Sequence, residues 1–206
     1  MNLNSKNITD RILTEQINPN SQNLDNLSTL DIVKIFSEED LEPQKAVQKA
    51  IPEIVKAIDQ ITLRLESEGR LFYIGTGTSG RLGVLDAAEC PPTFCTSPDM
   101  VQGILAGGDQ AIRKSSENLE DSFTLAIKDL KDKNFSVKDV LIGISASGST
   151  PYVLSALNYS KNKKALSISI SSVPKKDSNI ESDIDIRLIT GPEILAGSTR
   201  LKAGTA

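Results

Sequence analysis

Short apolar runs that alternate with helix-like stretches constrain the fold of this chain more than any other feature of its sequence. Five such runs occur, at 71–74, 101–105, 140–145, 165–170 and 184–189. Helical patterns separate the first four of them, at 79–88, 109–130 and 150–161. Strands that alternate with helices favour a parallel sheet covered by helices on both faces. The alternation therefore predicts an α/β fold, a three-layer αβα sandwich around a mostly parallel, doubly wound, five-stranded sheet.

The first 45 residues differ from the rest of the chain. Residues 1–27 are rich in Asn, Ser and Gln, which indicates an arm or loop, and Ser28 or Thr29 can cap a short helix that follows. From 46 to 65 apolar residues recur at helical spacing, interrupted by Pro52, where the helix can bend or divide. We therefore expect an N-terminal arm and short helix at 1–45 and an α/β domain at 46–206. Residues 202–206 have the composition of a helix beginning, so we expect that the chain is cut short at its C-terminus.

The composition excludes several classes of function. The chain has no histidine, which rules out a Ser-His-Asp triad, a histidine base and a histidine-ligated zinc site. A net charge of −4 and an aromatic content of 4% argue against nucleic-acid binding. No apolar stretch has the length of a membrane span or the character of a signal peptide, so we expect no membrane contact and a cytoplasmic location. Cys90 and Cys95 have no metal-ligating neighbours and are typical of free thiols in a reducing compartment.

The loop at 75–81, Gly-Thr-Gly-Thr-Ser-Gly-Arg, follows the first predicted strand and opens the next helix. Its glycines allow a tight turn and close approach of a ligand, and hydroxyls and free N–H groups at a helix start can hold an anion. We therefore select Gly77, Thr78, Ser79 and Gly80 as ligand-binding candidates. The loop also fits the bare GxGxxG pattern, but no acidic residue is suitably placed to hold a ribose, which disfavours a dinucleotide. A plain tight turn remains the alternative.

A second loop of the same kind follows the third predicted strand. It carries the candidate ligand-binding residues Ser145, Ser147, Gly148, Ser149 and Thr150, directly before Pro151 at the start of a helix. Such hydroxyls suit phosphate oxygens, although Ser and Thr are also the preferred helix caps. Both loops follow strands of one parallel sheet, where the carboxyl ends line the ligand crevice at the point where the strand order reverses. Together the two loops predict a sugar-phosphate site.

Two groups of carboxylates are candidates for acid–base chemistry. Glu89 lies near the end of the helix that begins at the first loop, where a carboxylate is slightly unfavourable. Glu117, Glu120, Asp121 and Thr124 share one face of the predicted helix at 109–130. On spacing alone, a solvated acidic surface explains the second group better than a catalytic site does.

Residues 75–92, GTGTSGRLGVLDAAECPP, resemble the signature of the N-acetylmuramic acid 6-phosphate etherases, which separates this family from other sugar-isomerase (SIS) domains. Further stretches agree with the same family: Thr14-Glu15, Asn18-Pro19, Ser21, 106–108, 145–153, 191–193 and 197–206. The resemblance implies a flavodoxin-like SIS fold. It also implies that Glu193 and Ser198, from the last two stretches, bind the substrate.

The resemblance further implies a carbon–oxygen lyase. The family cleaves the D-lactyl ether of N-acetylmuramic acid 6-phosphate to N-acetylglucosamine 6-phosphate and D-lactate, in the recycling of cell-wall amino sugars. Its two catalytic glutamates fall on Glu89 and Glu120. It works as a homodimer with residues of both subunits near each site, and it needs neither a metal nor an organic cofactor.

Two departures from the family pattern affect these expectations. Ser149 stands where family members often carry arginine, so we expect weaker phosphate binding. Family chains also continue past residue 206, through a core helix and a small helical C-terminal region. The alternatives are an aldose–ketose isomerase on the same fold, which the absence of histidine disfavours, and a sugar-phosphate sensor without catalysis, which Glu89 and Glu120 disfavour.

Overall fold

A computed structural model describes residues 12–114 and 119–206. Its centre is a sheet of five parallel strands in the order β2-β1-β3-β4-β5. The strands are β1 (Leu71–Gly75), β2 (Val101–Leu105), β3 (Val140–Ile144), β4 (Leu166–Ser171) and β5 (Ile184–Arg187). Each one coincides with a predicted apolar run to within two residues. The parallel sheet predicted from the sequence is therefore confirmed.

Helices cover both faces of the sheet. The helices are α1 (Thr29–Glu39), α2 (Leu41–Glu66), α3 (Gly77–Phe94), α4 (Gln110–Arg113), α5 (Leu125–Asp132), α6 (Pro151–Asn162) and α7 (Lys202–Thr205). α2 and α3 pack on one face, against a buried cluster that includes Val140, Ile142 and Ile168. α5 and α6 pack on the other face, around Phe72 and Leu141. This arrangement confirms the three-layer αβα sandwich.

α2 shows how a long polar helix can still be held in place. It buries the small side chains of Ala46, Ala50 and Ala57, which allow its backbone to lie close to the sheet. Pro52 lies inside the helix on its exposed side and does not divide it. Among residues 12–114 and 119–206, no helix combines the length and the apolar content that crossing a membrane requires.

Two helix boundaries differ from those predicted. α3 does not stop before Pro91 but continues through both prolines to Phe94. Neither proline has the N–H that would bond to a carbonyl one turn earlier, and the helix ends directly after them, where Cys95 closes it in a left-handed conformation with φ 55°.

The long helix predicted at 109–130 is also wrong. Lys114 is extended and Glu120 lies in a turn, and from residue 119 onward, where the description of the chain continues, the next helix begins at Leu125. A tertiary bond favours the turn, because the carbonyl of Glu120 accepts the N–H of Tyr152 at 3.0 Å. Glu117, predicted on the acidic helix face, lies outside the described residues.

A buried polar network joins the beginning and the end of the described chain. The ammonium of Lys202, which is 2% exposed, donates to the carboxylate of Glu39 at the end of α1. Glu39 also accepts hydrogen bonds from the side chains of Asn18 at 2.9 Å and Asn20 at 2.8 Å. Burial alone would raise the pKa of Glu39, but these hydrogen bonds lower it overall. The network fixes the N-terminal segment beside the segment that follows β5.

Candidate functional site

The first candidate loop forms an open helix start at the carboxyl end of β1. Gly77 has φ 50°, and apart from its chain neighbours and the backbone of its own helix no atom lies within 4 Å of where its side chain would begin. Gly80 is held close to the strand, because an added Cβ would lie 2.5 Å from the carbonyl oxygen of Gly75. Thr76 makes no side-chain cap bond to the start of the 18-residue helix α3. The first N–H groups of α3 are therefore not capped by this side chain and can bind an anion.

The second candidate loop is stabilised by its own hydroxyls. Those of Ser145 and Thr150 lie 2.8 Å apart, and those of Ser147 and Ser149 lie 2.9 Å apart. Gly148, with φ 65°, turns the chain between Ser147 and Ser149. Some of the predicted ligand-binding hydroxyls are therefore engaged within the loop, and binding a phosphate through them would require these pairs to exchange partners.

The sheet topology brings the two loops together. β1 and β3 are neighbours, with Gly75 paired to Ile144, so both loops leave the same edge of the sheet side by side. The chain passes from β1 outward to β2 and then back across β1 to β3, so the strand order reverses between these loops. The predicted position of the two loops at the switch point is thus confirmed.

A cavity of about 170 Å³ lies beside the first loop. The residues that line it are Thr78, Ser79, Leu82, Ile144, Ala146, Ile170, Ser171, Ser172, Leu188, Thr199, Ala203, Gly204 and Ala206. The cavity includes Thr78 and Ser79 of the predicted residues but none of Ser147, Ser149 and Thr150. Sequence reasoning did not select Ser171 and Ser172, although a pair of hydroxyls directly after a buried strand was a usable signal.

Glu193 holds the wall of this cavity in place. Its side chain is fully buried, and its carboxylate accepts the backbone N–H groups of Lys202 at 2.8 Å and Ala203 at 3.0 Å. Glu193 therefore caps α7, which carries the lining residues Ala203 and Gly204. The nearby Ser198 is half-buried and accepts a bond from Nε of Arg200 at 3.2 Å. The substrate contacts expected of Glu193 and Ser198 stay predictions.

The two candidate catalytic glutamates differ in their distance from the loops. Glu120 is exposed, but its backbone is bound to Tyr152, the second residue of α6, and so lies beside the second loop. Glu89 is exposed on α3, and the ten residues that separate it from Ser79 correspond to about 15 Å along the helix. Within one chain the structure therefore brings Glu120 close to the loops and leaves Glu89 about three turns away.

Side chains around Glu89 and Gly80 have other partners. The pKa of Tyr73 is raised, mainly by burial and secondly by a hydrogen bond with Asp86. Asp86, which lies on α3 one turn before Glu89, therefore has Tyr73 as its partner. Arg81 donates to the carbonyls of Ala111 at 2.7 Å and Ile112 at 2.9 Å. This arginine of the first loop therefore anchors the segment that follows β2.

Comparison with known proteins identifies the family. Residues 53–161 match the glucokinase regulatory protein N-terminal SIS domain, and residues 123–205 match the SIS domain. A Prochlorococcus marinus (strain NATL2A) protein named N-acetylmuramic acid 6-phosphate etherase is 72% identical over 205 residues, which cover 100% of this chain and 66% of that protein. A protein of the same name from Gloeothece citriformis (strain PCC 7424) is 59% identical over 194 residues, covering 94% of this chain and 63% of that protein. The chain thus spans about two thirds of the length of these relatives.

The solved structures agree on the fold. A phosphoheptose isomerase from Francisella tularensis superposes with a TM-score of 0.66 at 18% identity, covering 87% of this chain and 93% of that chain. At such identity the likeness concerns the fold alone. The fold, the two loops at the switch point and the sequence identities agree: the chain belongs to the N-acetylmuramic acid 6-phosphate etherase family of SIS-domain proteins.

Proposed function

We propose that the chain carries the sugar-phosphate site of a lyase that cleaves the D-lactyl ether of N-acetylmuramic acid 6-phosphate. The observation that carries this proposal is the pair of hydroxyl-rich loops at the adjacent carboxyl ends of β1 and β3. The uncapped start of α3 adds a site for the phosphoryl group. The names of the relatives supply the identity of the substrate.

The chemistry suits a chain without histidine. In the open-chain sugar the C2 hydrogen lies next to the C1 aldehyde, which makes it acidic. Glu120 as a carboxylate removes this proton, the C3–oxygen bond breaks, and Glu89 as a carboxylic acid protonates the departing lactate oxygen. The product of this step is an α,β-unsaturated aldehyde. Water then adds at C3 to give N-acetylglucosamine 6-phosphate, so no redox change and no cofactor is required.

Release of D-lactate from N-acetylmuramic acid 6-phosphate tests the proposal. We expect Glu120→Gln to abolish lactate release and the exchange of the C2 hydrogen with deuterated water. Asp121→Asn, a change of an exposed neighbouring carboxylate, is the matched control and should retain both. Exchange that survives in Glu120→Gln would exclude Glu120 as the base. Formation of a ketose would favour the isomerase, and binding without turnover would favour the sensor.

A homodimer is part of the proposal, because Glu89 lies too far along α3 to meet the loops of its own chain. α2 presents Ile51, Val55 and Ile58 on one exposed face, with 50–56% of each side chain accessible. An apolar face of this kind supports contact with a second copy of the chain. A dimer would allow Glu89 of one subunit to serve the site that contains Glu120 of the other.

Mixed dimers test this arrangement. Glu89→Gln and Glu120→Gln, each inactive alone, should regain activity when they are mixed, because one site of each mixed dimer then has both glutamates. Activity that stays absent in verified mixed dimers would mean that both glutamates act within one chain. We also propose a cytoplasmic location, which the free thiols of Cys90 and Cys95 support.

A further inference from the structure

Ser172 extends the β3–β4 pairing one step beyond the end of β4. Ile170 is paired with Ile144 and accepts the N–H of Ser145 at 3.0 Å. The N–H of Ser172 then donates to the carbonyl of Ala146 at 3.0 Å, so the parallel pattern continues. Side chains alternate along a strand, which places Ser172 on the same face as Ile170. That face carries α3 and the 170 Å³ cavity.

The hydroxyl of Ser172 has no hydrogen-bond partner in the part of the chain that the structure describes, although the residue is only 4% exposed. Two serines of β4 are paired: Ser167 donates to Asp183 at 2.7 Å and Ser169 donates to Asp185 at 2.8 Å. The third, Ser171, is buried without a partner, but strand alternation places its side chain on the opposite face from Ser172. The hydroxyl of Ser172 is not enclosed by protein atoms, as the unpartnered hydroxyls of Ser160 and Ser171 are, so it is free to bond to a molecule in the cavity. The same cavity is lined by Thr78 and Ser79 of the first loop.

The volume of the cavity can be compared with that of a bound phosphoryl group. A volume of about 170 Å³ corresponds to about six water molecules. This is enough for a phosphoryl group and the carbon that bears it. The adjacent start of α3 has uncapped N–H groups, which favour the anionic end of a ligand.

We propose that Ser172 donates a hydrogen bond to a phosphoryl oxygen of the bound sugar phosphate, opposite the N–H groups of α3. Ser172 is therefore a ligand-binding residue on a third strand end, in addition to the two loops. The inference rests on the proposed function and deepens it.

Binding measurements by calorimetry on Ser172→Ala test the inference. We expect inorganic phosphate and N-acetylglucosamine 6-phosphate each to bind about tenfold more weakly than to the wild type, as for the loss of one hydrogen bond to a charged group. The matched control is Ser160→Ala, because the hydroxyl of Ser160 on α6 also has no hydrogen-bond partner but is fully buried and does not line the cavity. Its affinities should equal those of the wild type. Ser172→Cys, which preserves the volume, repeats the comparison if the alanine variant does not fold.

The outcomes separate this inference from the proposed function. Affinities of Ser172→Ala within twofold of the wild type would overturn the inference while the site itself stands. Weaker binding of N-acetylglucosamine 6-phosphate with unchanged binding of phosphate would also overturn it, because the hydroxyl would then contact the sugar. Lactate release that is absent while the wild type still binds phosphate would refute the lyase and leave the role of Ser172 intact. A wild type that binds neither probe would refute both.

Discussion

Asp139 is the most heavily bonded carboxylate at the amino end of the sheet, and its replacement tests how much one buried ion pair contributes to stability. Asp139 is 1% exposed and precedes β3. It accepts three bonds from Arg70, from N at 3.0 Å, Nε at 3.1 Å and Nη2 at 2.9 Å. It accepts two more from Ser136, from N at 2.7 Å and Oγ at 3.0 Å. The carboxylate thus ties the start of β1 to the turn before β3.

Asp139→Asn keeps the shape of the side chain but replaces one accepting oxygen with an NH₂ group. With NH₂ at the Oδ2 position, the bonds from Arg70 Nη2 and Ser136 N are lost. Hydrogen bonds to a charged group contribute about 1.5–3 kcal/mol each. The side chain of Arg70 is 29% exposed and can regain water, so we take the lower value for each bond. The expected loss is about 3 kcal/mol of unfolding free energy, or about 6–12 °C in Tm.

The effect depends on pH. Burial alone would raise the pKa of Asp139, but hydrogen bonds from Arg70 and Ser136 lower it below its usual value. A carboxyl group whose pKa is lower in the folded state stabilises the protein above its unfolded pKa of about 3.9, and this stabilisation is lost as the pH falls through the folded pKa. The difference between Asp139→Asn and the wild type should therefore be largest near neutral pH and shrink in acid.

Urea unfolding followed by circular dichroism at pH 7 and pH 3 measures both quantities. Asp59→Asn is the control, because Asp59 is exposed on α2. It should change the free energy by less than about 0.5 kcal/mol at either pH. A loss below 1 kcal/mol in Asp139→Asn at pH 7, or a loss as large at pH 3 as at pH 7, would refute the reasoning.

Three further predictions concern packing and binding. Gly83→Ala should lower the unfolding free energy by about 1–3 kcal/mol, because the added Cβ would lie 2.6 Å from Cβ of Tyr73. Urea titrations measure this loss, and an unchanged free energy would mean that α3 shifts freely on β1. Tyr152→Phe should lower the unfolding free energy by about 1.5 kcal/mol, since the hydroxyl of the fully buried Tyr152 donates to Asp129 at 2.6 Å. Thermal unfolding at equal protein concentration measures this loss, and a loss near zero would contradict the prediction. Ser149→Arg should bind inorganic phosphate about tenfold more tightly by calorimetry, because a guanidinium adds a charged donor to the second loop; unchanged affinity would mean that this position does not face the anion.

The sequence predicted the layers well because their signals are local. Each strand is a short apolar run, and a strand buried on both faces needs no pattern beyond that run. The loops at Gly77 and Gly148 were equally easy to predict, since glycine and hydroxyl residues directly follow two of those runs. The parallel topology then determined that they meet.

Long-range contacts explain what the sequence could not predict. The helix expected at 109–130 is not continuous, and the carbonyl of Glu120, which lies in a turn, is bound by Tyr152, a partner 32 positions further along the chain. The carboxylate of Glu193 is held by backbone N–H groups of α7, which no pattern of residue types reveals. The distance of Glu89 from the loop could have been estimated from the helical rise alone.

The pair formed by Glu39 and Lys202 has a consequence for synthesis on the ribosome. The two residues are separated by 163 positions, and Glu39 is buried beside its partner. Because the ribosome adds about 5–20 residues per second, Lys202 is added to the chain about 10–30 s after Glu39. During that interval a buried carboxylate without its cation would be costly, so the segment before α2 cannot take its final position on a nascent chain. We expect protease sensitivity of this segment to persist on stalled chains and to disappear only once residue 202 has left the exit tunnel.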